Sequence, residues 1–175
     1  IILENDDICE ITKTDIINVK CHNIYEKVQN KDLVITHSPR PYPHWMLKEI
    51  HEQVESSSRT IDWGGRLVGS SVKLVGLDEN ISSLKQTDNI IILGCGTSFY
   101  AGLLGVHYFK KICQFNTVTI FDGAEFDISD VPKIGNTTII LLSQSGETKD
   151  LHRCLGIVNE YNMNTVGVVN VPDSL

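Results

Sequence analysis

Apolar residues fall along this chain in three successive textures. Over residues 1–38 they come in short pieces: Ile8, Glu10 and Thr12 interleave with Cys9, Ile11 and Lys13, and Ile16-Ile17-Asn18-Val19 and Leu33-Val34-Ile35 follow after polar breaks. Such alternation predicts antiparallel strands. Two or three strands lack a second layer to bury their apolar face, so residues 1–38 read as the last strands of a separate, larger domain. The opening Ile1-Ile2-Leu3, with no Met and no basic leader, reads as entry into the middle of a strand, and the chain is expected to be a fragment. Ser38-Pro39-Arg40-Pro41-Tyr42-Pro43 then places three prolines in five positions, which removes amide donors and predicts an extended linker. Over residues 44–61, Met46, Leu47, Ile50 and Val54 repeat at the spacing of one apolar helix face, until Gly64-Gly65 interrupts. Residues 39–70 are therefore read as a linker and helix between domains.

From residue 71 onward the pattern changes. Asn89-Ile90-Ile91-Ile92-Leu93, Thr117-Val118-Thr119-Ile120-Phe121, Thr138-Ile139-Ile140-Leu141-Leu142 and Val166-Gly167-Val168-Val169 are apolar or β-branched runs without alternation. Helical patterns separate them at 97–112, in a short piece from Ala124, and at 147–161. Unalternated strands are those buried on both faces, so the segment predicts an α/β fold, a three-layer parallel sheet flanked by helices, with residues 165–170 as a further buried strand. Ligands of such sheets bind beyond the carboxyl ends of the strands, which directs the search to the residues after Leu93, Phe121, Leu142 and Val169.

Composition narrows the class of function. The 175 residues carry 15 Lys+Arg against 22 Asp+Glu, a net charge of −7, with 41% hydrophobic and 21% charged residues. That is the composition of a chain able to bury a core. It has no basic footprint for nucleic acid, Lys110-Lys111 being the longest basic cluster. No apolar run reaches the roughly 18–20 residues of a membrane span. The five cysteines (Cys9, Cys21, Cys95, Cys113, Cys154) are odd in number and form no Cys-x-x-Cys pair, so they read as reduced thiols of a soluble, cytoplasmic protein.

Two turns carry the candidate chemistry. Gly94-Cys95-Gly96-Thr97-Ser98-Phe99 follows the first of the long strands, and Ser143-Gln144-Ser145-Gly146-Glu147-Thr148 follows the third. Each is a small-residue, hydroxyl-bearing turn running into a helix N-terminus, where free amide N–H groups and the positive end of the dipole favour an anion. Thr97, Ser98, Ser143, Ser145 and Thr148 can donate O–H groups to a phosphate or sugar oxygen, and Gln144 can donate and accept. Ser and Thr at such turns are also ordinary helix caps, but five hydroxyls exceed what two helices need, and an oxyanion or sugar-phosphate cradle is the better reading. A dinucleotide site is the rival, because Gly94-x-Gly96 precedes a helix and Asp122 ends the next strand; Phe99, however, stands where the third glycine of that fingerprint belongs. No Gly-Lys-Ser or Gly-Lys-Thr of a P-loop occurs. His51-Glu52-Gln53-Val54-Glu55 has Glu55 in place of the second histidine of a zinc helix, and His22, His37, His44, His107 and His152 show no paired ligand spacing, so no metal or other cofactor is expected. Cys95, near a helix N-terminus, is either a thiol of lowered pKa or a small packing residue. Glu147 suits the first helical turn structurally as well as it would catalysis.

Cys95-Gly96-Thr97-Ser98, Ala124-Glu125-Phe126 and the hexapeptide from Ser143 to Thr148 resemble the first sugar-isomerase (SIS) lobe of the isomerising glutamine:fructose-6-phosphate aminotransferases, whose sheet is flavodoxin-like. Leu3-Glu4, Asp7-Ile8 and Glu10-Ile11-Thr12 resemble the last strands of the glutaminase domain in that family, and Met46-x-Lys48-Glu49-Ile50-x-Glu52-Gln53 its interdomain helix. The resemblance implies transfer of glutamine-derived ammonia to fructose 6-phosphate and isomerisation to glucosamine 6-phosphate, in an enzyme with two SIS lobes that is usually a dimer. It places sugar-phosphate contacts on Thr97, Ser98, Ser143, Gln144, Ser145 and Thr148. Residues 71–175 would be a truncated first lobe, and the N-terminal nucleophilic cysteine and the Lys, Glu and His of the second lobe have no counterpart here. Trp63-Gly64-Gly65-Arg66 stands where the family usually has Arg-Gly-Arg. The segment alone is expected to bind without turnover. A reading of another class, a non-catalytic SIS module that senses a sugar phosphate for a partner protein, is compatible with the turns but leaves the N-terminal strands and helix unexplained.

Overall fold

The computed structural model describes residues 8–11, 16–20, 38–74 and 76–171. The chain divides into two compact units, Ile1–Thr60 and Ile61–Leu175. In the first unit, strands β1 (Ile8–Ile11) and β2 (Ile16–Lys20) pair antiparallel. The strand expected at Leu33-Val34-Ile35 lies outside the described residues. The proline-rich stretch is a turn and not an extended linker, because Tyr42 N donates to Pro39 O at 2.9 Å. Helix α1 (Trp45–Thr60) follows, within one residue of the expected bounds. It has no buried residue, and the apolar stripe that predicted it is exposed, Met46 at 73% and Val54 at 80%.

The second unit opens with a small hairpin the apolar pattern did not predict, β3 (Leu67–Val68) with β4 (Ser71–Val72). Two-residue strands are too short to show a period, and Gly69, at φ +58°, supplies the turn. After the short helix α2 (Ile81–Leu84) come β5 (Asn89–Gly94), α3 (Thr97–Ile112), β6 (Thr117–Asp122), β7 (Thr137–Ser143), α4 (Lys149–Glu160) and β8 (Asn164–Val169). The four long strands form one parallel sheet in the order β6-β5-β7-β8.

Every residue of β5 is buried, as its unalternated sequence demands. Successive side chains still point to opposite faces. Ile91, Leu93 and Ile139 pack with Phe126 and with Leu151, Cys154 and Val158 of α4. Ile90, Ile92 and Val118 pack with Val106 and Phe109 of α3. One helix thus covers each face, giving the three layers expected. At the amino end, the buried Asn89 spends its side chain on Ile134 O (2.8 Å) and Thr117 Oγ1 (2.9 Å), joining the starts of β5 and β6 to the segment that leads into β7.

Two expectations are corrected. No helix forms from Ala124: residues 123–125 are a turn, followed by a single 3-10 turn at Ile128–Asp130. Asp122 Oδ1 accepts from Ala124 N (3.0 Å), and Asp127 and Asp130 form a capping box, Asp127 Oδ1 accepting from Ser129 N (2.9 Å) and Asp130 Oδ2 from Asp127 N (2.9 Å), that starts only this one turn. β8, expected buried, is the outer strand, with Val168 55% and Val169 46% exposed. Its first three residues are half-buried and its last three exposed, so its apolar sequence does not mark a buried strand.

Candidate functional site

The strand order creates a switch point. From β5 the chain moves outward through α3 to β6, then returns across β5 to β7 on the other side. In doubly wound sheets the crevice between two such strands, at their carboxyl ends, is where ligands bind. Here those strands are β5 and β7, paired in parallel with Gly94 opposite Leu142. Neighbouring strands lie about 4.8 Å apart, so the turn holding Thr97 and Ser98 and the turn holding Ser143, Gln144, Ser145 and Thr148 leave the same edge side by side.

The first turn is shaped by close backbone approach. A Cβ on Gly94 would lie 2.9 Å from the Ser98 carbonyl carbon and 3.0 Å from Phe99 N, so only glycine lets α3 start this near the strand. Gly96, at φ +56°, is the N-cap of α3 and has no side chain with which to cap it. The helix–sheet approach for which Phe99 is too large is supplied three residues later: Gly102 is buried, and a Cβ there would meet the side chains of Ile120, Ile92 and Leu142.

The second turn is closed by its own hydroxyls. Ser143 Oγ accepts from Gly146 N at 2.9 Å and lies 3.1 Å from Thr148 Oγ1; Ser145 Oγ accepts from Glu147 N at 3.1 Å. Thr148 is the N-cap of α4, yet its side chain makes no cap hydrogen bond. Among the described residues, the N-cap positions of α3 and α4 therefore leave the first-turn amides uncapped by their own side chains, which weakens the capping explanation of these hydroxyls. The proton count refines it further. Ser143 and Thr148 share one O–H between them, which leaves one of their two protons, and that of Ser145, to be donated outward. Gln144 and Thr97 are exposed; Ser98 is half-buried, with its N–H given to Cys95 O at 3.2 Å.

Two neighbours of the turns were not singled out by sequence. His152 Nε2 donates to Gly146 O at 2.9 Å, reaching back from α4 to the second turn. Arg153 Nη2 lies 2.8, 3.2 and 2.9 Å from the carbonyl oxygens of Gly123, Ala124 and Phe126. Neither sits in a motif; their spacing to Thr148 along α4 is the only signal the sequence offers. Cys95 resolves in favour of packing. Burial raises its thiol pKa, opposed by a hydrogen bond with the Gly123 backbone and reinforced by the charges of Asp122 and Asp150, so the helix N-terminus does not generate a thiolate. His51 stacks on Tyr42 at 5.0 Å, Glu52 lies 3.7 Å from Lys48 and Glu55 3.8 Å from Arg59, which spends the zinc-like helix motif on surface contacts. Among the described residues no group of three or more His, Cys, Asp or Glu is placed to hold a metal, and no helix is long and apolar enough to cross a membrane.

Residues 83–175 match the family described as SIS domain. A probable isomerising glutamine–fructose-6-phosphate aminotransferase of Acanthamoeba polyphaga mimivirus is 38% identical over 90% of this chain, and the isomerising aminotransferase of Aquifex aeolicus is 30% identical over 99%. The chain spans 25% and 28% of those two proteins, so it matches about a quarter of their length. Among solved structures, the C-terminal domain of glucosamine-fructose-6-phosphate aminotransferase from Francisella tularensis superposes with a TM-score of 0.67 at 30% identity, over 79% of this chain and 38% of that one. A sugar-phosphate isomerase from Listeria monocytogenes, described as putative, shares the fold at TM-score 0.53 and 22% identity, over 74% of this chain and 66% of that one.

Proposed function

Because the chain belongs to the SIS domain family, we propose that it is a segment of an isomerising glutamine:fructose-6-phosphate aminotransferase and supplies that enzyme's sugar-phosphate cradle. In this reading residues 1–38 end a glutaminase-type domain, 39–70 link it to the sugar domain, and 71–175 begin the first SIS lobe. Glutamine is handled by the glutaminase domain, and the parent protein is a cytoplasmic homodimer or higher oligomer. The observation that carries the proposal is the pair of turns at the β5/β7 switch point, both opening helices and neither spent on capping.

The chemistry follows from the donors. A phosphate dianion at this edge meets first-turn amides of α3 and α4, the positive ends of both helix dipoles, and outward O–H groups of Thr97, Ser98 and Ser145. Gln144 is placed to hold a sugar hydroxyl. Ser143 and Thr148 fix the shape of the second turn while retaining one outward proton. None of these groups titrates near neutral pH, so they bind and orient the substrate and do not move its protons. The segment's task is therefore positioning fructose 6-phosphate or glucosamine 6-phosphate.

Titration of the chain with glucosamine 6-phosphate, followed by amide resonances, is expected to shift residues 96–98 and 144–148, while unphosphorylated glucosamine leaves them in place. Ser145→Ala removes one charge-assisted hydrogen bond and is expected to weaken binding about tenfold, at about 1.5 kcal/mol. Shifts confined to other regions, or an equal response to NADH, would overturn the proposal.

A further inference from the structure

We infer that Arg153 is a positioning residue that braces the loops after β5, β6 and β7 into one edge, and so sets the affinity of the sugar-phosphate cradle. The inference rests on the reading of the two turns as that cradle. Its starting point is an uneven division of donors. Nη2 of Arg153 carries two N–H groups, yet three carbonyl oxygens converge on it, those of Gly123 (2.8 Å), Ala124 (3.2 Å) and Phe126 (2.9 Å). The guanidinium therefore serves the 123–126 turn as a positive charge seated among three carbonyl dipoles, with at least one N–H shared. Cys154 adds a second tether from the same helix, its Sγ donating to Gly123 O at 3.2 Å.

The loop so held reaches the first turn through its backbone. Gly123 N donates to Gly94 O at 3.2 Å, and Gly94 is the last residue of β5. There is no slack at this junction: a Cβ on Gly123 would lie 2.9 Å from Leu151 Cδ2 and 3.0 Å from Cys95 Sγ. Arg153 itself stands one turn into α4, the helix that the second turn opens through Thr148. One side chain thus connects the helix behind the second turn to the loop beside the first. If the 123–126 turn moves away from α4, Gly94 and Cys95 lose one of the contacts that hold them beyond the sheet ladder, and the spacing of the two turns becomes more variable. An anion held by donors on both turns is sensitive to that spacing.

Three variants of the whole 175-residue chain and one measurement on the unsubstituted chain test this. Without ligand, Arg153→Ala is expected to shift the amide resonances of residues 94–98 as well as 123–126, and to speed their hydrogen exchange at least tenfold while the inner strands exchange as before. Its affinity for glucosamine 6-phosphate is expected to fall about tenfold. Arg153→Lys should recover most of the loss, because all three contacts are made by one nitrogen and an ammonium offers three N–H donors; Arg153→Met, which keeps the apolar stem, should not. In the unsubstituted chain the guanidinium resonances of Arg153 should shift on adding glucosamine 6-phosphate, which requires no variant to fold. Unchanged affinity in Arg153→Ala, or a uniform increase in exchange across the sheet, would overturn the brace. Failure of the unsubstituted chain to bind would instead overturn the cradle reading, and the ligand-free exchange would then decide the brace by itself.

Discussion

At the scale of single residues, the proposed cradle spends the hydroxyls of Ser143, Ser145 and Thr148 on contacts that shape the second turn. Ser143 holds Gly146 N and meets Thr148, so these two side chains form the clasp of the second turn. Replacing both, Ser143→Ala with Thr148→Ala, leaves the Gly146 amide without its partner and removes the clasp. Loss of detectable glucosamine 6-phosphate binding is the expected outcome, larger than the tenfold effect of Ser145→Ala, and calorimetric titration of both variants checks the order. The thiols provide a test of electrostatics. Burial raises the pKa of Cys154, offset by Arg153, and likewise raises that of Cys95. Both therefore stay protonated in the folded chain at pH values where unfolded thiols ionise. Their effect on stability is absent below the unfolded pKa of about 8.5 and becomes a loss as pH rises from there toward the folded values. Urea unfolding midpoints at pH 7.5 and 9.5 should differ more for the unsubstituted chain than for Cys95→Ala with Cys154→Ala.

At the scale of elements, helix α3 illustrates packing winning over propensity. Gly102 is a poor helix former, and alanine would favour the helix by about 1 kcal/mol. A methyl group there would lie 3.1 Å from Ile92 Cγ2 and 3.3 Å from Leu142 Cδ1, and would run into the Ile120 side chain. Overpacking of this kind costs roughly 1–3 kcal/mol, so Gly102→Ala is expected to lower stability by about 1 kcal/mol in urea unfolding, against the prediction of helix propensity alone. The elements themselves were legible from local pattern. The helix expected over 97–112 and the strands through Ile90, Ile120, Ile140 and Val166 form where the sequence indicates. The piece from Ala124 does not: Asp122 Oδ1 takes the Ala124 amide, and the capping box of Asp127 and Asp130 starts a single 3-10 turn, local side-chain bonds that leave no periodicity to read.

At the scale of the whole molecule, the sheet carries an outer strand whose far side is unpaired within the described residues. Among the described residues the ladder partner of β8 is β7, and Val168 and Val169 are exposed beside its other edge. Exposed apolar edges pair with other chains, so sedimentation of the 175-residue chain is expected to show concentration-dependent association that Val168→Lys suppresses; a monomer at all concentrations would contradict this. The candidate site is likewise a property of the whole. Thr97, Ser98, Ser143, Gln144, Ser145 and Thr148 were recognisable as residue types in two turns, each opening a helix, because turn chemistry and helix starts depend on neighbours a few positions away. By itself the sequence determined the parallel, three-layer character of the sheet through β5, β6 and β7, whose unalternated runs call for covering on both faces, although β8 carries the same texture with Val168 and Val169 exposed. Only the tertiary structure decided that β7, and not β6, lies on the far side of β5 from the first crossover, that β8 is outermost, and that Arg153 reaches the carbonyls of 123–126. Strand order and side-chain reach depend on which distant segments share a core, and a pattern of apolar positions is the same whichever neighbour a buried strand receives.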